Sequence, residues 1–443
     1  MPETTTLEFN APAGTIIGWQ DGDVVRASGI RYARAGRFQR PVAEPAAASP
    51  IVATSPAPAC PQVADPRLAL AFGDFHTDAA FDEDCLRLSV TRPANRPPGE
   101  SLPVIVWVHG GSYVTGAGDL PLYDPAALVR EQRVVFVAVT YRLGLLGFFG
   151  SEGGPSPNLG LLDLLEALRW VQRNIAALGG NPSLVTLLGH SSGADAIAHL
   201  MVAQGAAGLF RRVILHSAPL GLARNRRAMT RAMAKAAGPL SSTAPVEEVL
   251  ARESAVTKAV RRFGLKGGMP FGTQYGAYPL PAEAEVNQAW EAVAPAVDVL
   301  IGATAEETRF FAVIDPQFRW VERLPLTGKL LARLLVHVTS NLIYLKPASA
   351  FARRHARAQG RAYHFVVLFQ PAGNALGAAH TMDLPLLLGT PASWGATPLL
   401  ADANWEKVQL AGQQVRQLWA GFARTGVLPA QVNVPGVLRV EQM

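Results

Sequence analysis

The sequence predicts an α/β fold in which a central, mostly parallel β-sheet is flanked by helices. Long apolar runs bounded by loops are typical of strands buried on both faces, as in a parallel sheet covered by helices. These runs alternate with helical patterns along most of the 443 residues, which favours a single domain over residues 1–443. The chain is 49% hydrophobic and 17% charged, a globular composition that is sufficient for a large core.

The predicted elements follow one another with recognisable turns. Pro-rich residues 41–66 and 94–103 are predicted to be surface loops. Residues 161–178 carry leucines at helical spacing and are predicted to be a helix. Residues 221–290 lack a clear strand pattern and are predicted to form a helical insertion over the active face. The predicted strands are Leu86–Val90, Val104–His109, Val134–Thr140, Leu184–Leu188, Val213–Leu215, Val297–Ile301 and Tyr363–Phe369, and Trp405–Ala423 is predicted to be a closing helix.

The distribution of charge bears on nucleic-acid binding, and the N-terminal residues bear on the cellular compartment. The formal charge of +6 comes from scattered cations without a long basic run, so no nucleic-acid partner is expected. The N-terminus has neither a basic nor an apolar signal region, which predicts a cytoplasmic protein, or a secreted one if the chain has been processed. We expect a monomer or homodimer.

No uncharged apolar run reaches the length of a membrane span. The best candidate, Leu330–Leu345, contains Arg333, His337 and Asn341 and is predicted to be an amphipathic helix. We expect it to line the core, or alternatively a substrate entrance. Aromatic residues within 271–278 and 310–320 are candidates for pocket walls, although such clusters more often belong to the core.

The pentapeptide Gly189–Gly193 is the most informative motif of the chain. A buried-strand pattern leads into it and a small-residue helix pattern leads out. A Gly-x-Ser-x-Gly turn of this kind lifts its serine, here Ser191, above the sheet at a helix N-terminus. Because an ordinary strand-turn-helix connection has a similar sequence, this flanking pattern is what favours Ser191 as a nucleophile.

A second glycine-rich turn, His109–Tyr113, follows another predicted strand. Small residues allow the backbone to pass close to a substrate and to turn its N–H groups inward. The N–H groups of Gly111 and Ser112, with that of Ser192 after the nucleophile, are the predicted oxyanion hole.

Several further blocks together resemble the type-B carboxylesterases and lipases, which include the cholinesterases. The likeness covers most of the chain and implies the α/β-hydrolase fold. The blocks that carry it are Gly29–Ala33, Glu83–Val90, Tyr141–Phe148, Asn158–Ile175 and Gly179–Pro182, followed by the serine turn.

The resemblance also implies the partners of Ser191. The acid of the family falls on Glu307, with Glu306 as its neighbouring rival, and the base falls on His380. The chain order of serine, acid and base is that of an α/β-hydrolase. A serine hydrolase of carboxylic esters with a Ser-His-Glu triad is therefore expected, acting on a neutral or apolar small molecule. The alternatives are an amide or carbamate hydrolase with the same triad and a non-catalytic adhesion relative.

The sequence departs from the family at the elbow and near the base. His190 and Ser192 replace glutamate and alanine, and Asp383 replaces a longer glutamate. A cation at His190 would disfavour imidazolium formation on His380, so we expect His190 to be neutral at working pH.

The chain has two cysteines, Cys60 and Cys85. Free buried thiols are usual in a reducing cytosol, whereas the family resemblance implies a disulfide between them. Neither a Cys-x-x-Cys nor a His-x-x-x-His spacing is present, so no metal is expected. No cofactor is expected either.

Overall fold

The structure is a computed structural model that describes residues 5–63, 66–73, 80–151, 154–314, 321–325, 327–374, 376–400 and 403–443. Its strands are β1 (Thr6–Ala11), β2 (Gly14–Asp21), β3 (Val24–Arg31), β4 (Ala33–Arg34), β5 (Val42–Ala43), β6 (Ile51–Val52), β7 (Arg87–Pro93), β8 (Leu102–Val108), β9 (Val135–Val139), β10 (Gly180–His190), β11 (Arg212–His216), β12 (Asp298–Thr304), β13 (Ala362–Val367), β14 (Gln431–Val434) and β15 (Leu438–Gln442).

The described α-helices are α1 (Pro66–Phe72), α2 (Ala126–Gln132), α3 (Gly144–Gly147), α4 (Leu159–Asn174), α5 (Ser192–Leu200), α6 (Arg227–Ala237), α7 (Val246–Val260), α8 (Val286–Val293), α9 (Arg309–Ile314), α10 (Gly328–Ser340), α11 (Lys346–Arg357), α12 (Leu384–Leu387), α13 (Pro391–Gly395) and α14 (Trp405–Thr425). Short 3₁₀ segments occupy Pro121–Tyr123, Ile175–Leu178, Leu220–Leu222, Arg261–Gly268, Ala294–Ala296 and Pro398–Leu400. A π-helical turn, Asn341–Leu345, joins α10 to α11.

One large sheet has the strand order β1-β2-β3-β7-β9-β8-β10-β11-β12-β13-β15-β14. Its centre, from β9 through β13, is parallel, and its two edges are antiparallel. The mostly parallel sheet flanked by helices is therefore confirmed. The antiparallel strands β1 to β3 were not predicted, because their residues are only half-buried and lack a continuous apolar run.

The central strands show why the apolar runs were informative. Every residue of β8 and β9 is buried. Successive side chains alternate between the two sides of the sheet. Val104 and Val106 accordingly join one core cluster, and Ile105 and Trp107 join the other. Both sides of the sheet are covered, so a polar residue in these strands would be buried whichever way it pointed.

Residues 221–290 contain helices α6, α7 and most of α8 and no strand, as predicted from their pattern. Glu253 of α7 is buried, and its carboxylate accepts the Leu145 N–H of α3 at 3.1 Å. Burial raises the pKa of Glu253 to about 7, so this carboxyl titrates near neutral pH. The contact joins the insertion to the segment that follows β9.

Residues 330–345 are helical, but the prediction that they line the core is wrong for their leucines. Leu330 and Leu334 point outward, and the small residues Ala332 and Ser340 face inward. None of the helices that the structure describes is both long and apolar enough to cross a membrane.

The structure carries Cys60 and Cys85 as free, buried thiols rather than as the disulfide that the family resemblance implies. The Cys60 sulfur accepts the Leu143 N–H at 3.4 Å. A hydrogen bond with Cys60, together with burial, raises the pKa of the Cys85 thiol well above its usual value. The two thiols therefore lie together in the core without a covalent bond.

A buried ion pair links β9 to α4. The Arg142 guanidinium binds both carboxylate oxygens of Asp163, at 2.8 and 2.6 Å, and also donates to the Gln39 carbonyl at 2.7 Å. Both side chains are almost fully buried. Bidentate geometry satisfies the carboxylate, which offsets the cost of taking it out of water.

We predict that Asp163→Asn lowers the free energy of unfolding by about 3–5 kcal/mol, because it leaves the buried Arg142 cation without its counter-ion. Urea unfolding measures the change. The control is Glu248→Gln, which removes an exposed pair with Arg252 and should cost less than about 1 kcal/mol. Equal losses in the two variants would contradict this account of Asp163.

Candidate active site

Four loops that carry predicted site residues follow neighbouring parallel strands. His109–Tyr113 follows β8, Ser191 follows β10, Glu307 follows β12, and His380 lies in the loop after β13. Because parallel strands present their carboxyl ends at one edge, these loops meet there. This edge is where open α/β sheets usually bind their ligands.

Ser191 occupies a strained turn between β10 and α5. Its φ of 56° lies in the left-handed region, which is unfavourable for a residue with a Cβ. The Ser191 N–H donates to the His216 carbonyl at 2.8 Å, and its carbonyl accepts the Asp195 N–H at 3.0 Å. Gly193 is required beside it, because an added Cβ would lie 2.1 Å from the Val108 carbonyl oxygen. The turn therefore has the geometry of a nucleophile elbow.

Glu307 and His380 form a buried hydrogen-bonded pair. The Glu307 carboxylate contacts His380 Nδ1 through one oxygen. Its other oxygen accepts three bonds, from Ser217 Oγ at 2.5 Å, the Thr304 N–H at 2.7 Å and Thr304 Oγ1 at 2.9 Å. A carboxylate on Nδ1 places the imidazole proton there, so Nε2 remains an acceptor.

The structure distinguishes Glu307 from its sequence neighbour. Glu306 lies at the surface, where its carboxylate pairs with Arg309 at 2.9 Å and does not contact His380. Glu307 is fully buried. Of the two acids that the resemblance placed here, only Glu307 is in position to orient the imidazole.

Aromatic rings enclose His380. The ring centroids of His190, Tyr344, Phe311 and Phe310 lie 4.6, 5.4, 5.5 and 6.1 Å from its own. Phe310 and Phe311 belong to the predicted pocket wall, of which residues 315–320 lie outside the described part of the chain.

Ser191 is adjacent to His190 in the chain, and the His190 ring lies against His380. No hydrogen bond joins Ser191 Oγ to His380 among the described residues. In free enzymes a catalytic hydrogen bond of this kind is often long and shortens only when substrate binds. Proton transfer from Ser191 Oγ to His380 is therefore compatible with this structure. Ser191 and His380 are nearly buried, at 7% and 4% exposure, so the site is shielded from bulk water.

The glycine loop turns its backbone toward the serine. Gly111, Ser112 and Tyr113 have positive φ in succession, at 113°, 55° and 64°. Glycine is needed at 111, since an added Cβ would lie 2.0 Å from the Thr115 carbonyl oxygen. In the described part of the chain, the N–H groups of Gly111, Ser112 and Ser192 have no protein acceptor.

Two contacts fasten this loop to α5. The Tyr113 N–H donates to Ser192 Oγ at 3.2 Å, and the Tyr113 hydroxyl donates to Asp195 Oδ2 at 2.6 Å. Asp195, which is buried one turn after the serine, is not among the residues predicted from the sequence. The signal available was an acid within an otherwise small and apolar helix.

A second buried network lies beside His380. Trp419 Nε1–H donates to His216 Nε2 at 2.5 Å, so His216 carries its proton on Nδ1 and donates it to Asp383 at 2.5 Å. The other Asp383 oxygen lies 3.7 Å from His190 Nε2. Burial opposes ionisation of Asp383 and is the largest single effect, but the His216 hydrogen bond and the electrostatic interactions with the neighbouring histidines together outweigh it and lower the pKa of Asp383. The sequence had singled out Asp383 and His190 but not the position of Asp383 between His190 and His216.

Burial, with a smaller contribution from neighbouring His380, lowers the pKa of His190 to about 3. This supports the expectation that His190 is neutral at working pH. Within the described residues, no group of three or more histidine, cysteine or acidic side chains has an arrangement that could hold a metal ion.

We predict that His190 contributes to acid sensitivity. An unfolded histidine titrates near 6.5, so between pH 6.5 and about 3 the unfolded state binds one more proton than the native state. The free energy of unfolding therefore falls as the pH drops through this range, by up to ~1.4 kcal/mol per pH unit. His190→Asn should flatten this slope in urea unfolding at pH 6 to 4.

His337→Asn provides the control, because His337 is exposed and its removal should leave the slope unchanged. A slope that is the same in His190→Asn and in the unmodified protein would contradict a neutral, buried His190.

Comparison with known proteins agrees with this architecture. Residues 6–324 match the model of the carboxylesterase family. The probable N-octanoylanthranilate hydrolase of Rhodococcus erythropolis is 36% identical over 94% of this chain and 92% of its own length. Para-nitrobenzyl esterase of Bacillus subtilis is 30% identical over 93% and 88%.

Among solved structures, a thermophilic pNB esterase superposes with a TM-score of 0.82 at 28% identity, covering 99% of this chain and 98% of its own. The central sheet and the loops at its carboxyl edge thus occur in a known hydrolase architecture. The chain belongs to the carboxylesterase family and is a carboxylic ester hydrolase with the α/β-hydrolase fold.

Proposed function

We propose that the chain cleaves carboxylic esters through an acyl-enzyme on Ser191, with His380 as general base and Glu307 as the acid that orients it. The observation that carries this proposal is the buried Glu307–His380 pair next to the strained turn of Ser191. A serine hydroxyl is a weak nucleophile and needs such a base, which in turn needs an orienting group.

The reaction follows from these positions. His380 Nε2 takes the Ser191 proton as the hydroxyl oxygen attacks the ester carbonyl. Glu307 keeps the proton on Nδ1 and stabilises the imidazolium. The N–H groups of Gly111, Ser112 and Ser192 are the proposed donors to the oxyanion, and each such donor is typically worth a factor of about 10²–10³ in turnover. His380 then protonates the leaving alcohol, and water attacks the acyl-enzyme.

Neutral His190 serves this scheme. The imidazolium that forms on His380 during attack lies 4.6 Å, ring to ring, from His190. A second cation there would repel it, whereas a neutral ring does not. The acid Asp383, held ionised by His216, lies on the other side of His190 and favours positive charge on His380.

A second candidate is an amide hydrolase with the same residues. It is favoured by one relative, whose name denotes hydrolysis of an N-octanoyl compound. A matched pair of substrates, p-nitrophenyl octanoate and the octanoyl amide of 4-nitroaniline, separates the two functions because the two molecules share the acyl group and the nitrophenyl ring and differ only in the bond that is cleaved. A larger kcat/KM for the ester supports the first proposal, and a larger value for the amide supports the second.

We predict that Ser191→Ala lowers kcat for p-nitrophenyl octanoate by at least about 10⁴-fold, because no nucleophile remains to form the acyl-enzyme. Mass spectrometry of the quenched reaction should show the octanoyl group on the peptide that contains Ser191. The control is Ser183→Ala, an exposed serine of the same strand. Equal rates in the two variants would refute the assignment of Ser191.

We predict that Glu307→Gln lowers kcat by about 10⁴-fold, because an amide does not fix the imidazole tautomer or stabilise its cation. Glu306→Gln is the matched control, since it removes the same charge from the adjacent residue without touching His380. Steady-state kinetics of both variants provides the measurement. A large loss in Glu306→Gln with little loss in Glu307→Gln would reverse the assignment.

A further inference from the structure

Helix α10 and the π-helical turn after it have an unusual distribution of side chains. The residues facing the protein are small or short, at a spacing of four: Gly328, Ala332, Val336 and Ser340. The large apolar residues face outward, with 41 to 71% of each exposed, and are Leu330, Leu331, Leu334, Leu335, Val338 and Leu342. We call these six residues the leucine face.

Single exposed leucines are common, but a contiguous apolar patch usually marks an interaction surface. On a helix with 3.6 residues per turn, the six positions of the leucine face lie together on the side opposite the buried residues. The inward side of the helix is already packed through Gly328, Ala332, Val336 and Ser340, so the leucines lie at the surface. The leucine face is therefore suited to contact something outside the chain.

Charge next to the leucine face identifies the chemistry of that partner. Lys329 and Arg333 are exposed, lie one turn apart on α10 and directly precede Leu330 and Leu334 in the chain. In the described part of the chain neither makes an ion pair. Between Glu322 and Asp383 the sequence has no acid but eight lysines and arginines, of which Arg323, Lys329 and Arg333 lie on α10 or shortly before it.

An exposed apolar face on a helix that also carries exposed, unpaired cations is typical of a helix that lies in the plane of an anionic lipid surface. A second copy of the chain fits less well. Two-fold pairing through the leucine face would bring two rows of cations together, with no acid on this segment to neutralise them. We propose that the leucine face binds the surface of a bilayer that contains anionic phospholipid, with Lys329 and Arg333 at the headgroups.

The same helix borders the active site. The Thr308 N–H, next to Glu307, donates to Ser340 Oγ at 3.0 Å, and Thr308 Oγ1 donates to the Val336 carbonyl at 3.0 Å. Tyr344 of the π-helical turn lies against His380, at 5.4 Å between ring centroids. Because Val336 and Ser340 are on the inward side of α10, a lipid surface on the leucine face would be separated from the candidate active site by the width of this helix. Surface binding itself does not depend on the proposed catalytic residues.

The test is flotation of the full-length protein with vesicles of POPC alone and of POPC with 30% POPG. We expect binding to the POPG vesicles that weakens with salt, and little binding to POPC. The triple variant Leu330→Gln, Leu334→Gln, Val338→Gln should bind at least tenfold more weakly. Removing the two cations, in Lys329→Gln with Arg333→Gln, should weaken binding about fivefold per charge.

A matched control removes three apolar side chains of similar exposure elsewhere: Leu265→Gln, Leu410→Gln and Val427→Gln. This variant should bind vesicles like the unmodified protein. Hydrolysis of soluble p-nitrophenyl acetate at the unmodified rate by the leucine-face variant shows that it is folded. Ser191→Ala should bind vesicles normally, so a failure of the proposed catalytic function is distinguishable from a failure of surface binding.

The proposal is overturned if the unmodified protein does not bind POPG vesicles at low salt, or if the leucine-face variant binds them equally well. It is also overturned if light scattering shows a dimer that the leucine-face substitutions convert to a monomer, because the face then holds a second copy.

Discussion

The close approach of Gly193 to the end of β8 is the constraint on which the site depends. The first turn of α5 lies so near the Val108 carbonyl that a Cβ at residue 193 would be 2.1 Å from its oxygen. This contact lets the chain reverse sharply at Ser191 and keeps φ of that residue in the left-handed region. It also places the Ser192 N–H near the glycine loop that leaves β8. A larger residue at 193 would separate Ser191, the proposed nucleophile, from the proposed oxyanion donors.

The buried polar groups around His380 form two networks with different tasks. Glu307 contacts His380 directly, and its remaining lone pairs are satisfied by Ser217 and Thr304, so its orientation is fixed. Asp383 instead bonds to His216, and His190 is left neutral between Asp383 and His380. Asp383 Oδ1 and His190 Nε2 have no hydrogen-bond partner among the described residues, so the second network carries a cost that the Glu307 network avoids. In the proposed mechanism Asp383 stays ionised and His190 stays neutral, so His380, the proposed base, is the group of these three that changes its charge during the reaction.

The family resemblance implied Glu307 and His380 as the proposed acid and base, but their environment could not be read in the same way. Thr304, Ser217 and His216 lie on β11 and β12 or directly after them, and nothing in their local sequence marks them as partners of Glu307 or Asp383. Hydrogen bonds between residues far apart in the chain depend on strand register, which a single sequence does not specify. For Leu330–Leu345 the secondary structure was predicted correctly, but the side of the helix that is buried was not. Its helical pattern was correct, but a helix with small residues on one side and leucines on the other can bury either, and only packing decides.

By itself, the sequence determined the central sheet, the glycine turn, the serine turn and the identity of the family. Apolar runs, small residues and short motifs act locally, so they are legible without knowledge of the fold. The tertiary structure decided which of Glu306 and Glu307 reaches His380, how Asp195 and His216 support the site, and which face of α10 meets solvent. Each of these depends on distances between segments separated by many residues, and those distances are set only when the strands and helices pack.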